Sequence, residues 1–321
     1  MKTIYLCEKA DTVAKVYGID GAVYTKADVL NDPESFAKTE YIFSTWGMPE
    51  FSEEEIRRCL PSLKALFYAA GTVQAFARPF LNCGVKVFSA WAANAVPVAE
   101  YTVAQIVLAN KGFFGSSRLH KTGDHLQALD YFYAFPGNYG VKVGIIGAGM
   151  VGKLVIRLLK AYRLDVLVFD PFLSEEQAAE LGVTKCDLQT LFAECSVVSN
   201  HLANNAQTQG MLRYAHFRLM KPYATFLNTG RGAQVVEADL ARALTERSDL
   251  TAILDVTFPE PPEPGHPFYD LPNCILTPHI AGSSGNEVQR MGEYMQQEYE
   301  NFAQGRPTRY EVTAEMLKTM A

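Results

Sequence analysis

One stretch, Val141 to Asp170, narrows the possible folds more than any other. It opens with a short apolar run, Val143 to Ile146, suited to a fully buried strand. Gly147, Gly149 and Gly152 follow in the spacing G-x-G-x-x-G, and Lys153 to Tyr162 continues as an amphipathic helix with Leu154, Ile156, Leu158 and Leu159 on its apolar side. A second strand, Asp165 to Phe169, delivers Asp170 eighteen residues after Gly152. Gly147 permits a tight turn out of the strand, Gly149 lets a pyrophosphate approach the backbone, and Gly152 lets the helix lie close to the sheet. Free N–H groups at the helix start face the phosphates. Asp170 would accept hydrogen bonds from ribose hydroxyls and repel a 2′-phosphate. No Arg or Lys stands at Pro171, Phe172 or Leu173 to welcome one, which favours NAD over NADP. A bare glycine pattern is weak; strand, glycines, helix, strand and acid in this order predict a dinucleotide site.

At 321 residues the chain is long enough for two domains. Hydrophobic residues make up 48%, charged residues 20%, and the net charge is −6, so there is no basic surplus for nucleic acid or an acidic membrane. The N-terminal apolar stretch is too short for a signal peptide, and no apolar run is expected to reach membrane-spanning length. Six scattered cysteines without a C-x-x-C pair fit reduced thiols in a cytoplasm, with no metal or redox role.

Residues 2–7, 22–25, 41–45, 65–70 and 86–90 read as short strands separated by helical or polar segments. Among these, Ser52 with Glu55 makes a capping-box pattern. From Asn94 to about Phe114 the chain is apolar nearly all round and predicts a buried helix with Pro97 in its first turn. Residues 115–139 show no clean period and are expected to form an arm that packs on a partner. After the glycine unit, strands 196–200, 224–228, 250–255 and 274–277 alternate with helices such as Glu237 to Glu246, and a last helix runs from about Asn286 to Ala303. The fold expected is α/β, with two Rossmann-like, doubly wound parallel sheets. Residues 1–96 and 284–321 would form a substrate domain into which an NAD-binding domain, 97–283, is inserted, leaving a cleft between them.

Three strand ends of the second domain carry Arg231, Glu260 and His279. His279 can exchange a proton near neutral pH, Glu260 can hold its other ring nitrogen, and Arg231 offers a planar fork for a carboxylate and a carbonyl oxygen. Each alone has a plain structural explanation: a turn residue between glycines, a solvated loop acid, a satisfied imidazole. Their shared place at strand ends after a nucleotide motif favours a catalytic set for hydride transfer to a 2-keto acid. In the first domain the loops Thr45 to Met48 and Ala70 to Val73 lie at strand ends. There Trp46 is equally a packing residue, and Gly71 bares N–H groups that can grip a carboxylate.

The chain resembles the D-isomer-specific 2-hydroxyacid dehydrogenases. The resemblance rests on Val143 to Gly152, Met220 to Gly232, Leu254 to Pro261 and Thr277 to Gly282, in that order. The charge balance already points to no nucleic acid or membrane partner; the resemblance implies a homodimer and a substrate domain made from both chain ends. It implies that Arg231 binds the substrate carboxylate and polarises its carbonyl, that His279 is general acid in reduction and base in oxidation, and that Glu260 orients His279 and raises its pKa. Substrate contacts would come from Trp46, Ala70, Gly71 and Thr72. Cofactor contacts would come from Gly147, Gly149, Met150, Val151, Gly152, Asp170, His201, Thr208, Thr229, Gly230, Arg231, Asp255, His279 and Gly282. The chain departs from the family at Gln74, where an Asp is usual, and at Ala203, where a Pro is usual; Glu260 separates it from the formate dehydrogenase branch, which carries Gln there. The sequence thus predicts an NAD-dependent dehydrogenase of a D-2-hydroxy acid. The alternative is an NAD(H)-sensing binding protein of the corepressor type on the same fold.

Overall fold

The computed structural model describes residues 2–318. The chain divides into two compact units, Met1–Asn94 with Ser283–Ala321, and Ala95–Gly282. Met1 and residues 319–321, at the outer ends of the expected substrate domain, lie outside the described residues.

The first unit begins with five parallel strands: β1 (Thr3–Leu6), β2 (Val23–Tyr24), β3 (Tyr41–Ser44), β4 (Ala65–Tyr68) and β5 (Lys86–Ser89). Every residue of β3 and β4 is buried, as expected where helices cover both faces of a parallel sheet. On one face Phe43, Phe67 and Phe88 stack, with Phe67 and Phe88 4.9 Å apart at 8°. Local signals set the helix ends. Ser52 and Glu55 form the reciprocal capping box that starts helix Glu53–Cys59, and Gly18, at φ 64°, ends helix Ala10–Tyr17.

The second unit carries β6 (Tyr139–Ile146), β7 (Arg163–Phe169), β8 (Thr184–Lys185), β9 (Val197–Asn200), β10 (Thr225–Asn228), β11 (Thr251–Leu254) and β12 (Cys274–Leu276). They pair in the order β12-β11-β10-β9-β6-β7-β8, all parallel. The order reverses between β9 and β6, the switch point at which such sheets bind ligands. Separate apolar clusters are centred on Phe192, Phe217 and Phe226, and on Val143, Ile145, Val155 and Ile156.

Helix Trp91–Ala109 corrects two expectations. It has 19 residues and is apolar enough to cross a membrane by length and composition, so one such run does exist. Ala99, Val103, Ile106 and Ala109 nevertheless pack against β6 residues in the second unit's core. Pro97 sits well inside the helix rather than in its first turn. The missing N–H falls where the chain passes from one unit to the next, after Asn94. Residues 115–139 likewise hold helices Phe113–His120 and His125–Tyr133. Their period is obscured because both lie half exposed and mix rings with charges.

The chain returns to the first unit through helix Glu287–Ala303 and a short strand, β13 (Glu311–Val312), antiparallel to β5. The first sheet then runs β13-β5-β4-β3-β1-β2. The Glu298 carboxylate, 1% exposed, accepts the N–H groups of Arg309 and Tyr310 at 2.9 and 3.0 Å and so turns the tail onto the sheet edge. Gly292 lets this helix meet helix Ala10–Tyr17, since a Cβ there would lie 2.2 Å from the Val16 carbonyl oxygen. Gly292→Ala should therefore destabilise the protein by about 1–3 kcal/mol through overpacking, read as a lower urea midpoint.

Candidate active site

A single register row crosses the second sheet: Leu276, Leu254, Asn228, Asn200, Ile146 and Phe169 are Cα partners in turn. The residues that follow them, Thr277, Asp255, Thr229, His201, Gly147 and Asp170, therefore leave the sheet side by side at its carboxyl edge. Five of these six are residues the sequence assigned to the cofactor.

The glycine loop fits a dinucleotide. Gly147 has φ 93°, and a Cβ on it would lie 2.9 Å from the His201 backbone. A Cβ on Gly149 would meet nothing within 4 Å, which leaves room for a phosphate. A Cβ on Gly152 would lie 2.0 Å from the Gly147 carbonyl oxygen. Met150 and Val151 form the first turn of helix Met150–Leu159, where N–H groups lack intrahelical partners. The Asp170 carboxylate accepts from Ala148 N–H and Phe172 N–H, both at 2.7 Å, so it shapes the glycine loop. Met150 and Phe172 are exposed.

His279 stands in the left-handed region at φ 55°. Asp255, 2% exposed, holds it there. One carboxylate oxygen accepts from Thr277 Oγ1 (2.6 Å) and Ile280 N–H (2.8 Å), the other from Ala281 N–H (3.0 Å). Asp255, expected at the nicotinamide end, thus engages both oxygens with the His279 loop. The His279 Nδ1 lies 2.7 Å from Glu260 Oε1, which leaves Nε2 as the free ring nitrogen. Both side chains are over 40% exposed, and exposed ion pairs contribute about 0–1 kcal/mol. The consequence of this pair is orientation, not stability.

A second Glu–His pair, absent from the sequence reading, steadies the Glu260 loop. Glu237 Oε1 accepts from Phe258 N–H at 2.8 Å, and Oε2 lies 3.4 Å from His266 Nε2. His266 Nδ1 accepts from Phe268 N–H, so its proton sits on the nitrogen facing Glu237. Burial raises the Glu237 pKa.

Arg231 follows Gly230 in extended conformation and donates from Nη1 to the Gly230 carbonyl at 2.7 Å. Burial presses its pKa down, and the Glu260 charge acts against that. A Cβ on Gly230 would lie 2.9 Å from Gln234 Oε1, and one on Gly232 2.0 Å from the Thr257 backbone, so this loop accepts glycine on both sides of the arginine. The His201 ring lies between Ser199 Oγ (2.9 Å from Nε2) and Thr229 Oγ1 (3.3 Å from Nδ1), and burial lowers its pKa to about 3. The Thr208 hydroxyl donates to the Ala203 carbonyl at 2.6 Å and accepts from Asn205 N–H, folding the loop after His201. Gly282 is the last residue of the unit.

Within the first unit, the carbonyls of Ala70 and Gly71 accept from Ser89 Oγ at 2.9 and 2.5 Å. In trans peptides the N–H points opposite the carbonyl, so the Gly71 and Thr72 amides turn away from Ser89, as a carboxylate grip requires. Trp46 is 37% exposed. Gln74 Nε2 donates to the Leu317 carbonyl at 2.8 Å, so this departure from the family pattern ties down the tail. No group of three or more His, Cys, Asp or Glu able to hold a metal ion occurs among the described residues.

The family model "D-isomer specific 2-hydroxyacid dehydrogenase, NAD binding domain" matches residues 104–281, more than half of the chain. The chain belongs to this family. Its cofactor is NAD. The chain is 32% identical over 226 residues to D-3-phosphoglycerate dehydrogenase of Archaeoglobus fulgidus, a match covering 70% of this chain and 42% of that protein. It is 30% identical over 256 residues to glycerate dehydrogenase of Methylorubrum extorquens, covering 77% of this chain and 78% of the relative. The apo structure of Rhodotorula graminis D-mandelate dehydrogenase shares the fold, with a TM-score of 0.79, 19% identity and 97% of each chain covered.

The depressed His201 pKa has a measurable consequence. Between the unfolded value near 6.5 and the folded value of about 3, the unfolded chain binds the extra proton, so stability falls as pH drops through that window. The His201→Asn variant should lose stability less steeply than the parent from pH 6.5 to 4. Parallel urea midpoints across that range would exclude a buried, neutral His201.

Proposed function

We propose that the chain is an NAD-dependent oxidoreductase that moves a hydride between the nicotinamide and C2 of a small D-2-hydroxy acid or 2-keto acid, working mainly as a 2-keto acid reductase. The observation that carries this reading is the 2.7 Å contact of His279 Nδ1 with Glu260 in the unit that holds the NAD glycine loop. Bound NADH supplies the hydride. Arg231 holds the substrate carboxylate and draws electron density onto the C2 carbonyl oxygen, the oxygen that gains charge as hydride arrives. His279 Nε2 gives that oxygen its proton in reduction and takes it back in oxidation. Glu260, 2.7 Å from Nδ1, fixes the orientation of the ring. Phe113, Leu126 and Tyr133 stand exposed on the two helices of residues 113–133, which supports a second copy of the chain as their cover and a homodimer as the working state.

The test is NADH oxidation with a panel of small 2-keto acids. Turnover with at least one is the expected result; tight NADH binding without turnover on any would replace this reading with an NAD(H) sensor. The His279→Ala variant should lose about 10²–10⁴-fold in kcat while NADH binding stays within twofold of the parent. Near-parental turnover would remove His279 from the chemistry. Light scattering should give twice the chain mass, and Leu126→Glu should lower it toward one chain.

A further inference from the structure

Buried side-chain amides surround the loop that carries Arg231. Asn200 and Gln234 are fully buried, and Asn228 is 1% exposed. Asn200 Nδ2 donates to Asn228 Oδ1 at 3.0 Å and to Gln234 Oε1 at 2.5 Å. Asn228 Nδ2 donates to the Arg231 carbonyl at 3.1 Å, and Gln234 Oε1 accepts the Arg231 N–H at 3.2 Å. Both backbone polar groups of Arg231 are therefore held by this cluster. Gln234, now with Asn200, also holds the start of the loop after His201: Gln234 Nε2 donates to the Leu202 carbonyl at 2.6 Å, and Asn200 Oδ1 accepts the Leu202 N–H at 3.3 Å.

We propose that Asn200 and Gln234 are positioning residues that lock the Arg231 loop to the loop of residues 201–208, so that the substrate-holding guanidinium and the cofactor-side backbone are set by one rigid polar cluster. An apolar pair would fill the same space, but it would leave the Arg231 N–H and the Leu202 N–H and carbonyl without these partners. The polar network therefore serves placement. Unpaired buried amides are costly, so the cluster has one well-satisfied arrangement and resists alternatives. This inference rests on the reading of Arg231 as the substrate-carboxylate residue, and a misplacement of about 1 Å at such a group costs up to about 10²-fold in rate.

The experiment compares Asn200→Leu, Gln234→Met and the double variant. Each single change leaves a buried amide unpaired and should lower the melting temperature. Replacing both removes the mutual Asn200–Gln234 mismatch, so the double variant should recover part of that loss. Its kcat/KM for the 2-keto acid should nevertheless stay about 10- to 100-fold below the parent. Amide hydrogen exchange reads the same point without turnover. In the double variant the Arg231 and Leu202 N–H groups should lose protection while Thr225–Asn228 keeps it. A double variant whose kcat/KM recovers with its melting temperature, or whose Arg231 and Leu202 amides stay protected, would overturn the inference. A parent chain inactive on every 2-keto acid would instead overturn the proposed function, leaving the exchange result to judge the cluster.

Discussion

The register of the second sheet is the constraint on which the rest of the site depends. Parallel pairing from β12 to β7 aligns Leu276, Leu254, Asn228, Asn200, Ile146 and Phe169 in one row. A slip of one residue in any strand would send its side chains to the opposite face and displace the loop that follows. The pinning is strong because β9, β10 and β11 are buried at every position. Loops far apart in sequence, bearing Gly147, His201, Arg231, Glu260 and His279, thereby start from a common edge.

Buried groups arrange the exposed ones. Asp255 is nearly inaccessible and gives its carboxylate to three donors of the His279 loop. Glu237 grips the backbone two residues before Glu260, and the Asn200–Asn228–Gln234 cluster grips Arg231. By contrast His279 and Glu260 remain accessible to solvent. Hydrogen bonds to buried charged groups are worth about 1.5–3 kcal/mol, an exposed ion pair about 0–1. The firmest hydrogen bonds therefore lie beneath the site, and the solvent-accessible His279–Glu260 pair lies above them.

Much of this was legible in the residues. Strand, glycines, helix, strand and acid between Val143 and Asp170 predict the β6–β7 unit. Helix Glu237–Glu246 and the Ser52 capping box also follow from local signals, because propensity and capping act within a few residues. Pro97 misled about where its helix begins, since tertiary packing on both sides outweighed the local cost of an interior proline. The two-residue β13 carries no period and pairs with β5 where Glu298 holds the tail by the Arg309 and Tyr310 N–H groups.

Of the site, the sequence by itself determined the residue types that can hold a dinucleotide and exchange a proton, because those depend on glycine sterics and side-chain chemistry. Asn200, Asn228 and Gln234 carry no signal of their own in the sequence, and Asp255, expected at the nicotinamide end, gives no sign there of its hold on the His279 loop. Their roles come from partners 22 to 34 residues away: Thr277 for Asp255, and Asn228, Leu202 and Gln234 for one another. Only the folded sheet brings those partners within hydrogen-bonding distance. Side-chain amides fit buried or exposed surroundings equally well until burial removes water and makes each unmade bond expensive. That is why the chemistry was visible in the chain, and the scaffold that aims it was decided by the tertiary structure.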